Sequence, residues 1–319
     1  NNVVRGNTEN YNFAAGNHLN LLLCEAPETL SWPCSARLAG SLAAAGTGVV
    51  ITASGVTLDL MGFSLTGNPG TSDCGVLVAG TTNAPIADVV VRNGFIRSFG
   101  SGLRVEGATV CRFERLSLSS NVMYGAFLSG NLGPCDRNTF ADCTFSGNGT
   151  YGVYLSGSSG SCEGNTITHS TVSGSGESGV VLEGGETGTC DGNTLADSAI
   201  NGNGADGIVL GDSSGNTIAR CSLVGNAGYG IYLIAVFGLC EGNSITDCVL
   251  QKNPLGGILL IRADGNRVQG NHITGKQGTP RAGIACMDTE RNWFLCNTSV
   301  SQTKFSSSPH DPYGPIVSA

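Results

Sequence analysis

A short phrase of glycine, aliphatic residue, any residue and aliphatic residue recurs with its glycine at Gly75, Gly102, Gly125, Gly152, Gly179, Gly207, Gly230, Gly257 and Gly283, at spacings of 23 to 28 residues. A period of this length marks a chain built from stacked, similar units. A second column holds Asn138, Asn165, Asn193, Asn216, Asn243, Asn266 and Asn292. Seven residues after six of these come Phe145, Val172, Ile200, Leu223, Leu250 and Ile273. A third column holds Asn121, Asn148, Asn203, Asn226 and Asn253. Each coil therefore reads as three short strands separated by corners bearing Asn or Gly. Strands this short bury no core alone, so the coils must stack. With neighbours about 4.8 Å apart, nine or ten coils make a rod on the order of 45 Å long.

The period accounts for the composition. Glycine supplies 49 of 319 residues, against an average near 7%, and Gly and Asn tolerate the left-handed backbone that sharp corners demand. Stacked Asn side chains also offer hydrogen bonds from coil to coil. With 10 Pro and no Gly-X-Y period, the chain is not collagen; with 40% hydrophobic residues and a net charge of −8, it is not disordered. Three Lys and a pI near 4.9 argue against nucleic acid as a partner. Thirteen Cys against three Met point to an oxidising, extracytoplasmic compartment. The chain starts Asn-Asn with no initiator Met and shows no secretory signal, which suits a mature or excised product. The longest apolar run, Ile231 to Cys240, is too short to span a bilayer.

These columns resemble the right-handed parallel β-helix proteins of the pectate-lyase-like group, in particular secreted bacterial members with Asn-rich repeats. The resemblance covers roughly residues 48 to 300. It implies an all-β, single-domain right-handed parallel β-helix of nine or ten coils with an N-terminal cap. Residues 1–18 would form a segment like a terminal coil, 19–47 the cap, 48–300 the β-helix and 301–319 a tail. The group contains lyases, hydrolases, epimerases, phage adhesins and structural proteins, so it leaves function open.

Longer coils carry insertions ending in Cys135-Asp-Arg-Asn, Cys162-Glu-Gly-Asn, Cys190-Asp-Gly-Asn and Cys240-Glu-Gly-Asn. Cys162 and Cys190 fall in adjacent coils at a separation suited to a bridge, and Cys221 and Cys248 are neighbours in another column. Those positions fit either bridges or small buried residues. Cys24 and Cys34 are expected to staple the cap. Zinc is disfavoured, because Cys-x-x-Cys pairs are missing and His is scarce. An acid stands two residues before the corner Asn, as at Asp136, Glu163 and Asp191. A turn whose acid accepts backbone N–H bonds is favoured over calcium held between coils, and no other cofactor is expected. Asn148-Gly-Thr and Asn297-Thr-Ser fit the glycosylation acceptor pattern.

The middle residues of the glycine phrases face outward and run Leu77, Arg104, Phe127, Tyr154, Val181, Val209, Tyr232, Leu259 and Ala285. One Arg among eight uncharged residues is a poor catalytic face, and no familiar carboxylate or His constellation appears. The reading therefore leans away from an enzyme. The stripe through Phe127, Tyr154, Tyr232 and Leu259, thickened by Tyr124, Tyr151 and Tyr229, is expected to be exposed and to need covering by a partner, a chain tail or a sugar. Beside it the insertion Ile234 to Leu239 is apolar, with Val236 and Phe237 as contact candidates. The plainer alternative is β-propensity on a strand surface.

The two ends also match. Asn2 to Thr8 aligns with Asn292 to Thr298. This similarity motivates a donated coil, in which Val3, Val4, Asn7, Tyr11 and Phe13 of one molecule complete the stack of the next at Trp293, Phe294 and Asn297. Repeated head to tail, such self-association would make a secreted structural filament. The competing placement folds the N-terminal segment back along its own rod. The alternative function is a polysaccharide-active enzyme (lyase, epimerase or hydrolase) or a carbohydrate-binding module using the stripe, with Arg104 as its polar participant.

Overall fold

The computed structural model describes residues 4–5, 19–69, 73–275, 282–299 and 303–306. Two large sheets wrap a continuous apolar core, and their strands pair in parallel, coil upon coil. The front sheet has twelve strands, nine of which contain or directly follow the glycine phrases; Tyr151–Ser156, for example, lies between Tyr124–Ser129 and Val180–Glu183. The 22-stranded back sheet takes two short strands from most coils, such as Thr166–Thr168 and Thr171–Ser173.

Inward rows are set by register. Phe113, Phe140, Ile167, Leu195 and Ile218 stand opposite one another on successive rungs, none more than 2% exposed. Phe294 ends that row and is fully buried. It is a core residue and not an assembly contact, because its place on the strand points it inward; Trp293, one residue earlier, is 55% exposed.

The Asn columns turn inward. Backbone N–H groups of Asn138, Asn165, Asn193, Asn216, Asn243 and Asn266 each donate to the side-chain oxygen of the next Asn up the stack, at 2.8–2.9 Å. The left-handed backbone expected of them falls instead to neighbours such as Gly164 and Gly192, at φ 62° and 64°, and to corner residues such as Asp142 and His169, at φ 56° and 49°. The phrase glycines have a different reason. A Cβ on Gly230 would sit 2.6 Å from Leu250 Cδ2 and 2.8 Å from the Gly257 carbonyl oxygen, so the next coil leaves no room for a side chain.

Both glycosylation candidates belong to ladders. Asn148 is 1% exposed and donates to the Leu118 carbonyl; Asn297 is 1% exposed and donates to the Val268 carbonyl. A buried, hydrogen-bonded amide offers no acceptor for a glycan.

All thirteen cysteines are free thiols. Cys24 cannot reach Cys34: the parallel register places Leu19 beside Cys34 and Leu23 beside Leu38. Cys24 therefore lies five residues further along, roughly 16 Å away, well beyond bridging range. Cys162 is flanked in the core by Cys135 and Cys190, and the Cys221 backbone N–H donates to Cys248 Sγ at 3.5 Å, in both cases without a bond. Burial pushes the thiols of Cys34 and Cys143 up to about 11 and that of Cys111 to about 12. They act as small apolar core residues.

Residues 19–47, expected as a cap, supply strands Glu28–Leu30 and Cys34–Leu38, which pair in parallel with Val49–Ile51 and Thr57–Asp59 of the coils, and Leu19–Leu23, which pairs in parallel with Cys34–Leu38. Val4–Arg5 pairs in parallel with Leu21–Leu22 of the same chain. Val3, Asn7, Tyr11 and Phe13 lie outside the described residues, as does most of the tail. Among the described residues, no helix is long and apolar enough to cross a membrane.

Candidate functional site

Outward positions of the front sheet form three rows. Register stacks Arg104 on Phe127, Phe127 on Tyr154, Tyr154 on Val181 and Val209 on Tyr232. Three residues earlier in each phrase, Tyr124 stacks on Tyr151. Two residues later, on the same face of the pleat, come Glu106, Ser129, Ser156 and Glu183 on successive rungs.

Four rings meet on two adjacent rungs. Centroids of Phe127 and Tyr154 are 5.2 Å apart, those of Tyr124 and Tyr151 5.9 Å, and those of Tyr151 and Tyr154 5.4 Å. Mutual packing leaves them half-buried, which is less exposure than the sequence suggests. Arg104 caps one end, its guanidinium carbon 5.5 Å above the Phe127 ring. Its Nε and Nη2 donate to Glu106 Oε1 at 2.7 and 2.5 Å. At the other end the Tyr154 hydroxyl donates to Glu183 Oε2.

The aromatic stripe is interrupted. Val181 and Leu259 are buried, at 8% and 7% exposure, so Leu259 is not the contact residue that its column suggests. Tyr229 and Tyr232 make a second, smaller pair with centroids 6.3 Å apart. It lies three rungs above Tyr154, about 14 Å away. Val236 and Phe237 are exposed at 46% and 75%. Their turn is held by Asp212 Oδ1, which accepts from the backbone N–H groups of Val236, Phe237 and Gly238 at 2.6, 3.1 and 2.9 Å.

The phenols are held protonated. Burial raises Tyr151 to about 12, with the Glu177 carboxylate adding to the shift; burial and the bond to Glu183 raise Tyr154 further. Burial also lifts the Asp206 carboxyl, whose Oδ1 accepts the Tyr229 backbone N–H at 2.6 Å. Reading only the middle residue of each phrase misses Glu106 and Glu183. The signal was available two positions on, where strand alternation returns to the same face.

The acid column behaves as a set of turns. Asp136 Oδ1 accepts the Glu163 backbone N–H at 2.8 Å, Asp191 Oδ1 that of Ser214 at 2.7 Å, and Glu163 accepts from the Thr189 hydroxyl. These carboxylates tie one coil to the next through protein donors. Among the described residues no group of three or more His, Cys, Asp or Glu is arranged to hold a metal ion. On the back sheet a shallow cleft is lined by Asn93, Phe95, Arg115 and Asp142. It offers one aromatic ring where the front sheet offers six.

A stacked parallel solenoid with an outward aromatic and carboxylate face defines the class. The chain belongs to the family described as right handed beta helix region, whose pattern matches residues 74–161 and 131–299. No curated protein sequence matches it. Among solved structures it is similar to the A-module of the Azotobacter vinelandii mannuronan C-5 epimerase AlgE4, with a TM-score of 0.58, 15% identity, and 93% of this chain and 91% of that one covered. It is also similar to the periplasmic alginate epimerase AlgG, with a TM-score of 0.61, 13% identity, and coverage of 94% and 77%. The Agl-KA catalytic domain gives a TM-score of 0.67 at 13% identity, with 93% of this chain and 62% of that domain covered. Identities this low establish the shared fold alone.

Proposed function

We propose that the protein recognises a polysaccharide along its front sheet, using the Tyr124, Phe127, Tyr151 and Tyr154 cluster as the stacking platform. The observation that carries this reading is the contiguity of those four rings across two rungs, with polar groups at both ends. A sugar ring has an apolar face that rests on an aromatic ring and a hydroxyl periphery that hydrogen-bonds beside it. The Tyr229 and Tyr232 pair extends the platform along the rod, as a polymer needs. Two of the similar solved structures are named as a mannuronan and an alginate epimerase, which supports a polymeric sugar as the ligand.

Binding fits the face better than two-carboxylate hydrolysis. Glu106 and Glu183 stand three rungs apart, about 14 Å, whereas paired glycosidase carboxylates are separated by about 5 to 9.5 Å. The filament reading draws no support from Val4–Arg5, whose pairing is with Leu21–Leu22 of its own chain.

Retardation in native gels cast with soluble polysaccharides tests the proposal. The full chain should be retarded by at least one polymer, Tyr154→Ala should lose that retardation, and Phe95→Ala on the back sheet should keep it. Retardation that survives Tyr154→Ala but not Phe95→Ala would move the site to the opposite sheet.

A further inference from the structure

We infer that the polymer recognised by the front sheet is an uncharged glycan and not a polyuronate; this rests on the binding reading above. Between Cys74 and Met287 the strands of this sheet contain a single basic residue, Arg104. Its charge is already taken. Glu106 binds it through two guanidinium nitrogens, and the Glu106 side chain is 9% exposed, so the pair is fixed from beneath.

The remaining charge around the rings is acidic. Glu183 sits at the Tyr154 hydroxyl, Glu177 acts on both Tyr151 and Tyr124, and Asp206 acts on Tyr232. Arg262 reaches Tyr232, at the far pair, and not the four-ring cluster. A polyuronate would carry a carboxylate on every ring past these acids with, among the described strand residues at the four-ring cluster, no uncommitted cation to receive it, and like charges at such range repel. An uncharged glycan meets complementary chemistry. Each carboxylate retains acceptor capacity, and a sugar hydroxyl donates to it through a charge-assisted hydrogen bond.

The deciding comparison is polygalacturonate against its carboxyl-reduced form, a matched pair differing in charge, with alginate and a panel of soluble neutral glucans, mannans and xylans alongside. Dissociation constants are measured by calorimetry on the full chain, as wild type and as Tyr154→Ala, Glu183→Gln and Glu106→Gln. The expected result is binding to a neutral polymer at least tenfold tighter than to any polyuronate, lost in Tyr154→Ala. Glu183→Gln, at an exposed position, should strengthen polyuronate binding at least threefold, and Glu106→Gln should do so by releasing Arg104. Polyuronate binding equal to or tighter than neutral binding, with Tyr154 still required, overturns this inference and leaves the platform reading standing. Absence of binding to every polymer overturns both.

Discussion

At Tyr151 the ring is held by its neighbours and its hydroxyl by burial, and the two together make an optical signature. Burial first, then the Glu177 carboxylate, raises the phenol to about 12, against an unfolded value near 10. In spectrophotometric titration near 295 nm, the cluster should ionise later than free tyrosine. The folded state keeps its proton where the unfolded state has lost it, so this contribution to stability is intact below about pH 10 and declines as pH rises toward about 12. The ladder residues give a second test. Asn216 Oδ1 receives both the backbone N–H of Asn193 at 2.8 Å and its side-chain amide at 3.1 Å, in a site 1% exposed. Asn216→Ala strands buried donors and should cost about 1–3 kcal/mol, read as a lower urea midpoint.

Scaled up to one strand, the glycine phrase is a device for close stacking. Gly230→Ala would place a methyl against Leu250 and the Gly257 carbonyl. Backbone cannot swing aside as a side chain does, so a loss of about 1–3 kcal/mol is expected. Gly40, by contrast, has open space around the place a Cβ would take, with nothing within 4 Å, and no left-handed backbone. Gly40→Ala should therefore stabilise by about 0.4–1 kcal/mol through the unfolded chain. Measuring the two variants together separates a packing requirement from a general preference for glycine. A strand also explains why the face was only half legible. Alternation fixes that residues 104 and 106, or 181 and 183, share a side, but the use of Glu183 depends on Tyr154, which lies on the preceding rung.

For the whole molecule, eleven of thirteen thiols are buried and two, Cys24 and Cys296, are exposed. A thiol-reactive dye at pH 8 should label two cysteines in the native protein and thirteen in denaturant. Labelling of fewer than thirteen after denaturation without reductant would show bridges and support an oxidising compartment. The spacing of the phrases, the inward apolar rows and the three-strand coil were readable from the chain because each is a pattern repeated along it. A residue's neighbours in a solenoid lie one coil away, and insertions make that distance anything from 23 to 28 residues. Register across those uneven steps decided the rest. It buried Asn148 and Asn297 in ladders, put Phe294 in the core, separated Cys24 from Cys34 and ringed the tyrosines with carboxylates, because in a parallel stack each side chain is defined by the rungs above and below it.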